Sequence, residues 1–283
     1  MLTTINEQLD DLLTKAADAM DIPTQAYEDA MVKYEDVGTW LAEEDSALRC
    51  YSPEIYPQGS FRLGTVVRPI SDSDEYDIDL VCHLELHKDQ TTQNHLKQVV
   101  GDRLKRRADL AKILEPSRRC WILDYPPEAQ LPRFHMDILP AIQNRERPPT
   151  GILLTDTELT QWQRSNPKAY AEWFYDRMKV ILLEKRTALA KSIQANIEDV
   201  PEWQVKTPLQ RAIQILKRHR DIHFQNNLEN RPASIIITTL AAHACRNQEN
   251  LRDALTQIAP EMPRYIEKRS GKWWVANHFQ HRH

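Results

Sequence analysis

The segment Glu75-Tyr76-Asp77-Ile78-Asp79-Leu80-Val81-Cys82 constrains this chain more than any other. Its period is two: Tyr76, Ile78, Leu80 and Cys82 share one face of a strand, and Glu75, Asp77, Asp79 and Val81 the other. Aspartate is disfavoured in strands, so two of them backed by an apolar face are a costly choice for a purely structural strand. Their Cα atoms stand about 7 Å apart along the strand, near enough for both carboxylates to lean onto one cation. A second segment repeats the pattern. In Arg133-Phe134-His135-Met136-Asp137-Ile138-Leu139, the residues Phe134, Met136 and Ile138 form the apolar face, with Arg133, His135 and Asp137 opposite. Paired beside the first strand, this one brings Asp137 to Asp77 and Asp79. Three ionised carboxylates so placed raise one another's pKa. A hard divalent cation removes the conflict, and Mg2+ favours carboxylate oxygen together with substrate phosphate.

About 17 residues before Asp77 lies Pro57-Gln58-Gly59-Ser60-Phe61-Arg62-Leu63-Gly64-Thr65, which holds two of the six glycines of the chain. Glycine permits backbone angles and close approaches closed to other residues. A Gly-Ser pair at a helix start offers backbone N–H groups and a hydroxyl to a phosphate. Alone, the pair is equally compatible with an ordinary turn; upstream of the aspartates it becomes a candidate phosphate loop.

Composition excludes several classes. At 283 residues the chain allows one large domain or two lobes. With 37 basic and 41 acidic side chains its net charge is −4, which argues against coating nucleic acid through bulk charge. The longest weakly polar run, Ser234–Ala242, is far short of the ~20 residues a membrane helix needs. The first 21 residues lack a basic start and an apolar signal core, and Cys50, Cys82, Cys120 and Cys245 are widely spaced without a CxxC pair. A cytoplasmic protein with reduced thiols is expected.

The outline is helix, mixed α/β core, helical lobe. Ile5, Leu9, Leu12, Leu13 and Ala16 follow the rhythm of one apolar helix face, and a second helix spans about Thr24 to Leu48. A helix over Leu96–Leu114 and strands over Cys120–Asp124 and Arg133–Leu139 follow. Arg145–Gly151 is the expected boundary, separating a core over 1–150 from a helical lobe over 151–283. Within the lobe, one long helix is expected over Pro167–Ile193. Another runs over Thr207–Phe224, with Thr207 as N-cap, Pro208 at the first position and Gln210 closing a capping box. A third should start near Pro232.

The Gly-Ser turn, the DxD strand and the later aspartate resemble the signature of polymerase-β-like nucleotidyltransferases. The words QGSFRLGT, EYDIDLV and RFHMDILPA, with PLQRAIQILKRHR (208–220) and PASIIITTLAAH (232–243), are similar to the bacterial cGAS/DncV-like nucleotidyltransferases, or CD-NTases. The resemblance covers most of the chain from Tyr56 onward. It implies an α+β fold, with a mixed-sheet core, an N-terminal helical spine and a helical C-terminal lobe, and an active site in the cleft between core and lobe. It implies synthesis of a cyclic di- or trinucleotide from nucleoside triphosphates, ATP among them, in anti-phage (CBASS-type) signalling, with a downstream effector binding the product. Two Mg2+ ions, replaceable by Mn2+, would be held by Asp77, Asp79 and Asp137, the catalytic residues. Gln58, Gly59 and Ser60 would meet the donor phosphates, and Lys217 and Ser234 would also reach the triphosphate. Some relatives are switched on by a protein partner; the bacterial branch commonly needs no nucleic acid.

Other readings stay open. A related enzyme could modify RNA, a protein or a small molecule, and a catalytically silent nucleotide- or partner-binding module would share the fold. Lys217 could instead belong to a solvated basic face. The pair His219 and His223 has helical spacing for a metal but no third ligand nearby. His135 is expected to pack beside Asp137 rather than act. Lys105-Arg106-Arg107 and Arg118-Arg119 read as solvated faces. Trp273 and Trp274 read as packing residues for the lobe, and the segment Gly271–Asn277 resembles one that in the family continues into further helix, so a truncated lobe and a divergent end both stay open.

Overall fold

Alternating apolar residues build the central pair of strands. In this computed structural model, which describes residues 4–71, 75–127, 131–158, 161–194, 196–197 and 202–276, β1 is Glu54–Gln58 and β2 is Tyr76–Leu84. The sheet continues with β3 (Leu114–Pro116), β4 (Trp121–Tyr125), β5 (Phe134–Gln143), β6 (Ile152–Leu154) and β7 (Gln163–Ser165). Strands β2 and β5 lie side by side and parallel, in the register Tyr76–Phe134, Asp77–His135, Ile78–Met136 and Asp79–Asp137. Antiparallel β1 flanks β2, and antiparallel β4 and then β3 flank β5; β6 and β7 extend from the far end of β5.

One face of the sheet buries Tyr76, Ile78, Leu80, Phe134, Met136 and Ile138. The other turns apolar just beyond the aspartates, where Val81 and Leu139 join Cys120, Ala141, Ile152 and Leu154 in a second cluster. Helices α2 (Thr24–Ala42) and α4 (Gln93–Lys105) are tied to the sheet by specific bonds. The Tyr76 hydroxyl donates to the Ala26 carbonyl at 3.4 Å, and Trp121 Nε1 donates to the Lys97 carbonyl at 2.8 Å. Between them, α3 (Gly59–Leu63) is the short helix of the Gly-Ser turn, and its Phe61 stacks on Tyr27 at 4.4 Å. The expected helix over Leu96–Leu114 is two: α4, and α5 (Ala108–Ile113) after an extended Arg107.

The structure divides into two compact units, and the division does not fall at residue 150. One unit comprises Ile22–Arg62 and Arg68–Ala171; the other comprises the described parts of Met1–Asp21, Leu63–Val67 and Glu172–Asn277. The segment Arg145–Gly151 is the tight connection between β5 and β6 rather than a linker: Asn144 N donates to Gly151 O and Gly151 N to Arg147 O, both at 2.8 Å. Proline and charge mark a turn here, and a hairpin turn and a linker look alike in composition.

The helical unit contains α1 (Ile5–Asp18), α7 (Lys179–Ser192), α8 (Pro208–His223), α9 (Ser234–Ala244), α10 (Leu251–Glu261) and a hairpin of β8 (Ile266–Arg269) and β9 (Lys272–Val275). The capping box of α8 forms as expected, with Thr207 Oγ1 accepting from Gln210 N and Gln210 Oε1 from Thr207 N. The expected long helix is broken into α6 (Pro167–Asp176) and α7 at Arg177–Met178, where Met178 leaves helical angles (φ −130°). The apolar face expected to bury α1 does not: Ile5 is 82% exposed and Leu9 and Leu12 are exposed, while Ala17 is buried. Polar bonds anchor this helix instead, Asp10 accepting from Arg252 N and Asp18 from Arg211. Trp273 is 71% exposed, so it does not pack the lobe. The end of the chain from Asn277 lies outside the described residues.

Candidate active site

The strand register sets the site. Asp79 stands between two neighbours in register, Gln58 of β1 on one side and Asp137 of β5 on the other. Gly59 follows Gln58 directly at φ +64°, and a Cβ there would lie 2.1 Å from Asp79 Oδ2. Glycine is therefore required twice, by the backbone angle and by the approach to the carboxylate. Ser60, half-buried, is the second residue of α3.

Asp77 is two residues before Asp79 on the same face and is 62% exposed. Asp137 is 24% exposed, and its Oδ1 is buried with no hydrogen-bond partner. Burial pushes its carboxyl pKa up; His135 and a hydrogen bond from Cys120 pull against this, and the charges of Asp77 and Glu75 add to it. His135 lies among the acids, with Nδ1 3.1 Å from Glu75 Oε1 and Nε2 3.3 Å from Asp77 Oδ1 and 3.8 Å from Asp137 Oδ1. It packs beside Asp137 as expected, and it also lies against Glu75 and Asp77. Behind Asp137, the Cys120 thiol is pushed up to about 12 by burial and by that carboxylate.

As they stand, no three His, Cys, Asp or Glu side chains among the described residues are gathered as a ligand set for a metal. Carboxylates repel one another without a counter-charge, and here Asp77 lies against the imidazole. The donor set nonetheless fits a hard cation: all-oxygen ligands on one face, in register, with one carboxylate oxygen buried and unsatisfied.

The remaining expected site residues lie in the helical unit. Lys217 is 5% exposed, which removes the solvated-face reading, and its Nζ donates to Thr65 O at 2.9 Å and Thr65 Oγ1 at 3.2 Å. Ser234, first residue of α9, accepts from Arg220 Nη1 at 2.7 Å. The rings of His219 and His223 stack 6.0 Å apart. The basic runs are not loose charge: Arg107 pairs with Asp36 and Asp109, and Arg118 and Arg119 both clasp the buried Asp156. All four cysteines are free. The reading of residues alone overlooked β1 and the strand register that carries Gln58 to Asp79; Pro57 within it masks the strand signal.

A mixed sheet that carries DxD on one strand, an aspartate in register on its parallel neighbour and a Gly-Ser turn against them defines the core of a polymerase-β-like nucleotidyltransferase. The profile of the Second Messenger Oligonucleotide or Dinucleotide Synthetase (SMODS) domain matches residues 4–177. A c-di-GMP synthase of Roseivirga ehrenbergii is 34% identical over 94% of this chain and 69% of its own length. The cyclic dinucleotide synthase CdnG of Bradyrhizobium diazoefficiens is 25% identical over 92% of this chain and 64% of its own length. The structure of that CdnG in complex with GTP aligns with a TM-score of 0.71 at 23% identity, covering 90% of this chain and 76% of the other. CdnC of E. coli MS115-1, solved in complex with HORMA-deltaN, aligns at 0.61 and 14% identity over 87% of this chain and 68% of its own. The chain belongs to the bacterial CD-NTase family of SMODS-domain nucleotidyltransferases.

Proposed function

We propose that this protein is a cyclic dinucleotide synthase that joins two GTP molecules into cyclic di-GMP with loss of two pyrophosphates, in bacterial anti-phage signalling. The observation that carries the chemistry is the Asp79–Asp137 register with Gly59 wedged against Asp79. The sequence resemblance implies ATP among the substrates; the choice of GTP here is supported by the c-di-GMP synthase that is 34% identical over nearly the whole chain.

Asp77, Asp79 and Asp137 would hold divalent cations, which supply neutralisation of phosphate charge and a lowered pKa at the acceptor hydroxyl when bound. The chain's own groups do the rest. Gln58, Gly59 and Ser60 offer an amide, a close backbone approach and a hydroxyl to the donor phosphates. His135, with Nε2 3.3 Å from Asp77 Oδ1, is placed to orient Asp77. No helix among the described residues is long and apolar enough to cross a membrane, and a cytoplasmic site of action fits a GTP-consuming reaction.

The test is incubation with each NTP, singly and mixed, with Mg2+ or Mn2+, followed by phosphatase treatment and mass spectrometry. A phosphatase-resistant product of two GMP units, absent with Asp79→Asn, is the expected result. A linear or RNA-attached product, or no product under any of these conditions, would overturn the reading.

A further inference from the structure

Four consecutive backbone carbonyls just after the Gly-Ser turn each accept a hydrogen bond from a different side chain in or just before α8. Gln210 Nε2 donates to Leu63 O at 3.0 Å, Lys206 Nζ to Gly64 O at 2.9 Å, Lys217 Nζ to Thr65 O at 2.9 Å, and Gln214 Nε2 to Val66 O at 2.6 Å. Leu63, Gly64, Thr65 and Val66 are buried, as are Gln210, Gln214 and Lys217. Buried carbonyls require partners, and strands or helices normally supply them from other backbone groups. Here side chains supply all four, at the cost of burying an ammonium and two amides.

The arrangement is specified from several directions. Gln210, Gln214 and Lys217 recur at i, i+4 and i+7, one face of α8. The orientation of each amide is fixed by its other atom: Gln210 Oε1 accepts from Thr207 N at 2.9 Å, and Gln214 Oε1 accepts from Arg211 Nη1 at 3.1 Å. Asp21 adds a second constraint, accepting from Gln214 Nε2 at 2.7 Å and from Arg211 Nη1 at 2.6 Å. Gly64 has φ +65°, and a Cβ there would lie 2.6 Å from Gln210 Nε2. Glycine is what lets the amide reach the main chain.

We propose that Lys206, Gln210, Gln214 and Lys217 are positioning residues for nucleotidyl transfer: by fixing the chain that leaves α3, they hold Gly59 and Ser60 in one conformation for the donor triphosphate. The first rung is the carbonyl of Leu63, the last residue of α3, four positions from Gly59. This inference rests on the function proposed above for Gly59 and Ser60.

Gln210→Glu tests it on the full-length protein. Glutamate still accepts from Thr207 N, and it is itself a standard capping-box residue, but it has no donor for Leu63 O. Three readouts are needed: the melting temperature, KM and kcat with GTP, and amide hydrogen exchange by peptide mass spectrometry. The expected result is a melting temperature lowered by about 2–12 °C, the cost of one buried carbonyl left unpaired, a tenfold or greater rise in KM with kcat changed less than threefold, and faster exchange confined to residues 59–66. Lys206→Met should behave alike, and Lys206→Arg should recover most of the KM. Unchanged exchange in 59–66, whatever the kinetics, overturns the proposal. So does a uniform rise in exchange across α8, α9 and α10, which would mark a merely structural role. If the wild type turns over no NTP, the enzymatic reading fails while the exchange comparison still decides whether these residues hold the turn.

Discussion

Replacing Asp137 by asparagine should stabilise the fold while abolishing catalysis. The carboxylate has one oxygen buried without a partner, and burial pushes its pKa up, with the charges of Asp77 and Glu75 adding to the shift. A buried acceptor left unsatisfied costs about 1–3 kcal/mol, and more when it carries charge. The substituted amide would keep the shape, remove the charge and place an N–H group among neighbouring carboxylates. A gain of about 1.5 kcal/mol corresponds to a rise in melting temperature of roughly 3–6 °C for a chain of this size. The pH dependence fixes the cause. A carboxyl whose pKa is raised by folding is neutral in both states below about pH 4, so its penalty vanishes there. Above the unfolded value the penalty grows as pH rises through the folded value. The melting-temperature difference between Asp137→Asn and wild type should therefore be near zero at about pH 3.5 and largest at about pH 7 and above. Calorimetry in EDTA across that range is the assay. Added Mg2+ should then raise the wild type by about 1.4 kcal/mol at ten times its Kd and leave the variant almost unmoved. A variant less stable than wild type at pH 7, or a difference independent of pH, would refute the view of Asp137 as a strained functional carboxylate.

Gly59→Ala should lower kcat/KM by more than about a hundredfold, because a misplacement of about 1 Å is worth that much and the new methyl would strike Asp79; its φ of +64° adds about 1–2 kcal/mol of destabilisation, to be read by urea titration. Thiol labelling of the native protein at pH 8 should show one fast equivalent, from exposed Cys50; burial pushes Cys82 and Cys120 up to about 12 and raises Cys245, so a second fast thiol would contradict the burial described. Burial lowers the Lys206 pKa to about 8, with the charge of Asp21 opposing the shift, so folding releases a proton between about pH 8 and pH 10.5 and the wild type gains stability there relative to Lys206→Met. A stability difference between these two proteins that stays flat from pH 8 to 10.5 would mean that the ammonium is hydrated.

Much of this protein is legible in short stretches of sequence, because the signals involved are local. A period of two puts Asp77 and Asp79 on one face and Ile78 and Leu80 on the other whatever the strand's neighbours are, and the capping box of α8 is written within four residues. What local patterning leaves open is partnership. The α1 periodicity is real, yet Ile5, Leu9 and Leu12 stay exposed, since amphipathicity announces an apolar face without saying that anything covers it. Arg145–Gly151 marks an interruption of structure, but only pairing of Gln143 with Ile152 makes it a hairpin. Tertiary structure alone sets Asp137 level with Asp79, brings Gln58 and Gly59 against the same carboxylate, and gives the carbonyls of 63–66 their side-chain donors more than 140 residues away. Secondary structure is chosen by forces acting over a few residues; register and close approach are chosen by packing between segments far apart in the chain, and nucleotidyl transfer depends on the latter.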